Sequence, residues 1–247
     1  MTDRAHVLDA LGTVFDPELD EPITSLRFVT SCDVTADGDV DVRLRLPTPQ
    51  CAPNFAFLMA ADARDAVRRL PEVREVTVVL EDHYTGTEIN GAVNRGEAFA
   101  GAFPGETEGE LDALRELFHR KALVARQSRL CEELVAGGAT PEEVTARRVT
   151  DLPREPGARR CLELREHLGI PVDDDAPAFV RPDGAPITAT ELTHWLRMAR
   201  LVRTSLEANG GICRSLLEVR YGKGSDPSLP LPMSSGDPGS DPKEVAA

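Results

Sequence analysis

Residues 46–60, LPTPQCAPNFAFLMA, decide the fold of this 247-residue chain. Before them, residues 40–46 alternate apolar and polar side chains, which predicts a half-buried strand. After them, apolar residues recur at helical spacing as far as Leu70, so we expect a helix that begins near Pro53. Cys51 then lies just before a helix N-terminus, where free backbone N–H groups and the helix dipole favour thiolate over thiol. The simpler alternative is that Cys51 is a small core residue, which is the commoner role of a cysteine near a helix start.

The flanking segments predict a small domain over residues 1–84 with the element order αββαβ. Asp3 can cap a first helix, and residues 26–34 alternate as a first strand. The turn at residues 36–39 makes an antiparallel hairpin with the second strand. The third strand, residues 73–80, follows a helix, so we expect it to lie parallel to the second strand. The sequence thus predicts a small mixed sheet packed against helices.

This topology predicts that several chemically active side chains share one edge of the sheet. The second and third strands end on the same edge, which places Cys51 near Asp82 and His83. Because the first strand runs antiparallel to the second, the segment Asp16-Pro17-Glu18 returns to that edge as well. A thiol, an imidazole and several carboxylates would then converge there. The alternative is that Asp16 only forms a turn and that His83 only begins a solvated loop.

Beyond this domain the chain is predicted to be mostly helical, which makes the fold class α+β. Residues 85–105 are rich in glycine and indicate an ordered wrap or linker. Residues 106–222 contain capping boxes at Thr107, Thr140 and Thr188, each of which opens a helix. Residues 223–247 have the Ser-, Pro- and Gly-rich composition of a disordered tail.

Two features of the helical region are candidates for function. The helix that begins after Thr188 is predicted to stop at Asn209-Gly210, and a last short helix then carries Cys213. Cysteines on these helices are expected in the core, but if one of them joins Cys51 in holding a metal, Cys213 is the best candidate. The outer face of the longer helix carries a basic stripe, which either docks a partner or is simply solvated. The stripe consists of Arg197, Arg200 and Arg203.

Composition excludes several classes of function. A net charge of −14 argues against binding to nucleic acid or to an anionic membrane surface. The N-terminus lacks the apolar core of a signal peptide and no run is long enough to span a bilayer, so we expect a cytoplasmic protein. The five cysteines are odd in number and scattered, which indicates reduced thiols. No Cys-x-x-Cys, His-Glu-x-x-His or phosphate-binding glycine loop is present, which argues against a self-sufficient zinc site, a thioredoxin-type redox motif and a P-loop enzyme.

The Asp16-Pro17-Glu18 turn, the first strand, Leu46-Pro47-Thr48 with Cys51, and the helix and strand that follow resemble the PaaD/SufT-like domain of metal–sulfur cluster assembly factors. This resemblance covers residues 3–83. It implies a compact α/β domain that assists iron–sulfur cluster maturation of client enzymes, with Cys51 as the residue most often implicated. The family commonly has Cys-Pro where this chain has Cys51-Ala52-Pro53, which alters the cap of the helix. We assign supporting positions at this edge to Asp16, Pro17, Glu18, Thr48 and Asp82.

The overall layout, with its helical extension rich in Glu and Arg, also resembles proteins encoded with soluble di-iron monooxygenases. This resemblance implies a maturation factor for the oxygenase or for its iron–sulfur reductase, and no enzymatic activity of its own. The leading hypothesis is therefore an accessory factor in which Cys51 transiently binds iron or an iron–sulfur cluster, with His83 and Cys213 as weaker candidate ligands. Since one cysteine cannot fill a cluster's ligand set, the cluster would bridge to a client metalloprotein or to a second protomer of a homodimer.

Two other functions remain open at this stage. The chain could be a metal-free adaptor or chaperone whose helical half binds a monooxygenase component, because a fold does not fix a function. It could also be a hydrolase or transferase in which Cys51 is the nucleophile and His83 its base. The sequence offers no evident third residue to orient that imidazole and no oxyanion loop, which argues against the enzyme.

Overall fold

The structure is a computed structural model that describes residues 2–105 and 108–222. Its first part holds α1 (Arg4–Leu11), β1 (Phe15–Asp16), β2 (Glu21–Pro22), β3 (Val29–Val34), β4 (Asp39–Arg45), α2 (Pro53–Arg68), β5 (Glu75–Glu81), α3 (Gly86–Arg95) and α4 (Phe99–Ala102). Its second part holds α5 (Glu108–Ala136), α6 (Pro141–Thr145), a 3-10 turn (Val149–Asp151), α7 (Pro156–His167) and α8 (Ala189–Tyr221). The predicted α+β class is confirmed. The capping box predicted at Thr107 and the tail predicted at 223–247 lie outside the described residues.

The main sheet has the strand order β3-β4-β5, with β4 in the centre. β3 pairs antiparallel with β4, and β5 pairs parallel with β4, as the alternation and the crossover helix predicted. β3 begins at Val29 and not at Leu26, because Arg27 adopts a left-handed φ of 61° in a turn. A short β1–β2 ladder, which the sequence did not predict, closes the Asp16 turn by pairing Asp16 with Glu21.

The segment predicted as a wrap or linker forms helix α3, which protects the free edge of the sheet. Asn90 donates a side-chain hydrogen bond to the carbonyl of Leu80 at 3.2 Å and accepts one from its N–H at 2.7 Å. Asn94, one turn later, does the same for Val78 at 2.9 and 2.8 Å. Two asparagines at helical spacing thus satisfy the backbone groups that an edge strand would otherwise leave unpaired.

The last helix, α8, is continuous from Ala189 to Tyr221, so the predicted stop at Asn209-Gly210 is wrong. Gly210 is buried inside the helix, where a Cβ would lie 3.2 Å from Oε1 of Glu21. We therefore attribute this glycine to a close approach between α8 and the first part of the chain. In sequence, a glycine that permits close packing looks the same as one that ends a helix.

The buried apolar residues form two clusters. The first core contains the sheet, α1 to α4 and the start of α5, and the second core contains most of α5, α6, α7 and the first half of α8. Cys213 and Leu217, from the second half of α8, pack against the first core, so this helix belongs to both. Within the described ranges, no helix has the length and apolar character needed to cross a membrane.

Candidate functional site

Cys51 lies in the loop between β4 and α2, two residues before the first residue of α2. Its N–H donates to the Thr48 carbonyl at 3.3 Å, and its Sγ lies 3.6 Å from Oγ1 of Thr48. Ala52, which precedes α2, provides no side-chain cap for the first turn of the helix. Cys51 is half-buried, and its side chain packs against the first core. The thiol is therefore anchored by one hydroxyl group, in the loop that leads into α2.

His83 is brought to Cys51, but its ring contacts the backbone of that residue. Its Nε2 lies 2.8 Å from the Cys51 carbonyl oxygen. The N–H of Thr85 donates to Nδ1 at 3.3 Å. Because Nδ1 is an acceptor, Nε2 carries the proton and donates the hydrogen bond to the carbonyl oxygen of Cys51. The N–H of Tyr84 also donates to the carbonyl of Pro49 at 3.1 Å. The segment after β5 thus fixes the loop that carries the thiol, and both ring nitrogens of His83 are engaged.

Asp16 organises the turn that the sequence analysis placed at the same edge. Its Oδ1 accepts hydrogen bonds from the N–H groups of Glu18 at 2.8 Å and Leu19 at 3.0 Å. Its side chain is buried, and burial raises the pKa of Asp16 to about 6 in spite of these two bonds. Pro17 stands between the bonded residues. The Asp-Pro-Glu sequence therefore builds a tight turn around one carboxylate.

The second half of α8 lies along this edge of the first domain. Asn209 donates to Oε1 of Glu18 at 3.3 Å, and Arg214 donates to both carboxylate oxygens of Glu21 at 3.0 and 2.7 Å. At the end of the helix, the Tyr221 hydroxyl donates to Asp82 at 2.5 Å. The helix is therefore fixed to the Asp16 turn at one point and to the segment after β5 at another.

Cys213 reaches the site because it lies on this part of α8. It is half-buried, like Cys51. Burial, followed by the nearby Asp16 and Cys51, raises the pKa of Cys213 to about 11. The other cysteines, Cys32, Cys131 and Cys161, are buried in the two cores. The structure thus brings together Cys51 and Cys213, the two cysteines that the sequence analysis named as ligands.

The described residues contain no complete metal site. Among residues 2–105 and 108–222, no group of three or more His, Cys, Asp or Glu side chains is placed to hold a metal ion. The two thiols could supply two soft ligands, and any further ligands would have to come from outside this set.

The three arginines of the predicted basic stripe on α8 differ in their contacts. Arg200 and Arg203 both donate to the Glu132 carboxylate of α5, at 2.8 and 2.7 Å. Arg197 is exposed. Two of the three arginines therefore hold α8 against α5.

Two cavities were not predicted from the sequence. An apolar cavity of about 360 Å³ adjoins the start of α2 and is lined by Ala52, Pro53, Asn54, Phe99, Phe103, Leu111 and Leu114. A polar cavity of about 200 Å³ lies between the two parts and includes Asp16, Asp20, His119 and Arg160. Burial and the neighbouring His167 lower the pKa of His119 to about 4. Residues that meet only across the two parts leave no local pattern in the sequence.

Comparisons with known proteins agree with the small domain. The model of a family described as iron–sulfur cluster assembly protein matches residues 4–78. An uncharacterized protein of Methanocaldococcus jannaschii is 33% identical over 90 residues, which are 36% of this chain and 93% of that protein. The family match extends from α1 into β5 and includes the Cys51 loop, whereas α3 to α8 lie beyond it.

Proposed function

The chain belongs to the family of iron–sulfur cluster assembly proteins, and we propose that it is an accessory factor in which Cys51 transiently binds iron or a cluster as cargo. The family match supports a general role in cluster assembly.

The observation that carries this proposal is the placement of the Cys51 thiol. It is half-buried, it is held by Thr48, and it belongs to the residue that lies two positions before the start of α2. The dipole of a helix favours negative charge near its N-terminus. The next two residues of the chain, Ala52 and Pro53, line an apolar cavity, which could accept a side chain of a docking protein. The site thus combines a soft ligand with a surface for a partner.

The number of ligands that this chain can offer to a cluster explains why the cargo would be transferred. An iron–sulfur cluster usually takes four cysteine ligands, and the described part of this chain holds no complete set. Incomplete ligation leaves positions that the cysteines of a client can fill. We propose a client metalloprotein, either a soluble di-iron monooxygenase or its iron–sulfur reductase, because the layout of the whole chain resembles proteins encoded with such enzymes. A second protomer of a homodimer is the alternative source of ligands.

The geometry does not favour a cysteine hydrolase or transferase. His83 directs Nε2 at the carbonyl oxygen of Cys51, at 2.8 Å, and its Nδ1 accepts from Thr85. A base that activates a nucleophile must be within hydrogen-bond reach of the thiol itself. We therefore assign His83 a positioning role in the loop.

The proposal is tested by anaerobic reconstitution with iron and sulfide. The wild-type chain should acquire thiolate-to-iron charge-transfer absorption, and Cys51→Ala should lose most of it. Cys131→Ala is the matched control, because Cys131 is fully buried in the second core and should not reach the cargo. A wild-type chain that acquires no absorption would overturn the proposal. Co-expression of the monooxygenase with either variant, followed by a metal count on the purified enzyme, then tests the client.

A second candidate function is a metal-free adaptor, and one observation favours it. Helix α8 exposes large apolar side chains along its length, and three of them flank Cys213 in sequence. They are Met198, Leu201, Ile212, Leu216 and Val219. An exposed apolar stripe of this kind is typical of a protein interface, and the occupant would be the client polypeptide. If the adaptor is correct, Leu216→Glu should abolish co-purification with the client and reduce its metal content, whereas Cys51→Ala should change neither.

A further inference from the structure

We propose that Cys213 is a second thiol ligand beside Cys51, so that a single chain offers two thiolates to the same iron or cluster. This inference rests on the proposed function and extends it to a residue outside the matched family domain, which ends at residue 78. It is carried by the way in which α8 lies against the Cys51 edge.

The register of α8 directs Cys213 at that edge. Asn209, Cys213 and Leu217 are spaced by four residues and so lie on one face of the helix. Asn209 contacts Glu18 at 3.3 Å, and Leu217 packs against the first core. Cys213 lies between these two contacts, and its own side chain packs against the same core.

Cys51 is connected to the same face of α8 from the other side. Its carbonyl accepts the hydrogen bond from His83, the residue that follows Asp82. Asp82 is in turn bound by Tyr221, two helical turns after Cys213. Cys51 also packs against the first core, as Cys213 does. The two half-buried thiols therefore occupy one edge.

A charged contact and a glycine determine how α8 lies against the first part of the chain. Arg214, the neighbour of Cys213, donates to both oxygens of the Glu21 carboxylate at 3.0 and 2.7 Å. Gly210 and Gly211 are poor helix formers inside this helix. At Gly210 the missing side chain allows the helix to approach Glu21. Two residues of low helix propensity thus occupy α8 at the point where the helix comes close to the edge that holds the two thiols.

If one chain supplies two thiolates, the number of ligands that a client must supply falls. A [2Fe–2S] cluster takes four cysteines, two on each iron, so Cys51 and Cys213 could hold one iron while client cysteines hold the other. As each sulfur–iron bond forms, the thiol releases its proton to solvent, and no electron is transferred. The three remaining cysteines, buried in the cores, are not available for this role.

The first test uses Co²⁺ alone as the probe, in the full chain, with thiolate-to-cobalt charge-transfer absorption as the readout. Cys213→Ala and Cys51→Ala should each show about half of the wild-type absorption per bound Co²⁺, because one of two thiolates remains. The double variant should show none, and Cys131→Ala should match the wild type. Full absorption in Cys213→Ala with loss in Cys51→Ala would overturn this inference and leave the proposed function intact. Full absorption in Cys51→Ala would overturn both.

A second test does not depend on metal and covers the case in which a variant folds poorly. Dibromobimane joins two neighbouring thiols by displacing one bromide with each, and it becomes fluorescent only when both arms have reacted. The folded wild-type chain should become fluorescent, with a peptide pair that links Cys51 to Cys213 by mass spectrometry. Prior addition of Co²⁺ should suppress the reaction. A wild-type chain in which both thiols react singly, without a link, would overturn the inference.

Discussion

The two cores of this protein are held internally by apolar packing, whereas charged pairs add to the apolar contacts that join them to each other. The first core consists of the sheet and its helices, and the second of the helical half. Between them, Asp20 is bound by Arg126 and by Arg160, and Arg115 of α5 binds Asp62 of α2 at 2.7 Å. Interfaces between domains of one chain are commonly more polar than domain cores. The difference indicates that the helical half is docked onto a domain with a core of its own.

That docking has a consequence for the candidate site. Half of α8 packs in the second core, while Cys213 and Leu217 pack against the first. Any change that separates the cores should therefore move Cys213 away from Cys51. The stability of the junction between the two cores should therefore affect the geometry of the two thiols.

The largest effect is expected for Asp20→Asn. Asp20 is 6% exposed, adopts a left-handed φ of 51° that asparagine tolerates, and faces the guanidinium groups of Arg126 and Arg160. Loss of its charge leaves Arg126 without a carboxylate partner among the described residues and leaves Arg160 with only the partly exposed Glu163 at 3.2 Å, so we expect a loss of about 3–5 kcal/mol in the free energy of unfolding. Urea denaturation followed by the fluorescence of Trp195, the single tryptophan, measures it.

The matched control is Asp183→Asn, in an exposed pair with Arg181 whose atoms are 3.7 Å apart. Such a pair contributes under about 1 kcal/mol. Equal losses in both variants would contradict the view that buried charge joins the cores.

The next effect compares the same substitution in each core. Leu44 in β4 and Leu164 in α7 are both fully buried, and Leu→Ala should destabilise either core by about 2–5 kcal/mol. Trp195 is packed in the second core. Because α8 and Asp20 connect the cores, we expect Leu44→Ala to lower the urea midpoint of the Trp195 transition as Leu164→Ala does. If only Leu164→Ala shifts that transition, the two cores unfold independently.

The contrast between the cores also explains what could be predicted from the sequence. Val40, Val42 and Leu44 alternate with polar residues because one face of β4 is buried, so the strand, its partners and the parallel crossover could all be predicted. The proximity of Cys51 to the segment after β5 followed from the same topology. Local periodicity was sufficient there because the first core is built mainly from neighbouring segments.

The junction could not be predicted, since its partners are far apart in sequence. Asp20 and Arg160 are separated by 140 residues, and neither has a local pattern that names the other. Gly210 fits the local pattern of a helix stop, and the contact with Glu21 that explains it lies at the other end of the chain. His83 was placed correctly by the topology, but its hydrogen bond to the Cys51 carbonyl depends on side-chain geometry that periodicity does not encode.

A smaller effect, which depends on pH, is expected for Asp16→Asn at the edge next to the junction. Burial raises the pKa of Asp16 to about 6, with Glu18 and Glu21 adding in the same direction. In the unfolded chain the carboxyl has its ordinary pKa of 3.8, so the native state holds the proton up to a higher pH and wild-type stability falls as pH rises between about 4 and 6. Asparagine retains an oxygen that accepts from the N–H groups of Glu18 and Leu19.

The variant should therefore match the wild type near pH 3.5 and exceed it at pH 7 by at most about 3 kcal/mol, the equivalent of the pKa shift. Urea unfolding at both pH values gives the difference. His119, whose lowered pKa makes stability rise with pH in the same window, is present in both proteins, so its contribution cancels. A constant offset at both pH values would show that the turn, and not the buried charge, determines the effect.

The smallest effect compares the adjacent glycines inside α8. Alanine raises helix propensity by about 0.5–1 kcal/mol over glycine, and at Gly211 no atom lies within 4 Å of the new Cβ. We therefore expect Gly211→Ala to stabilise the protein by about that amount. At Gly210 the Cβ would lie 3.2 Å from Oε1 of Glu21, so the same gain should be offset when Glu21 moves and its contact with Arg214 loosens. Differential unfolding of the two variants measures the contrast, and dibromobimane fluorescence in the same samples reports on the two thiols. Equal stabilisation with unchanged fluorescence would show that the approach of α8 to Glu21 does not position Cys213.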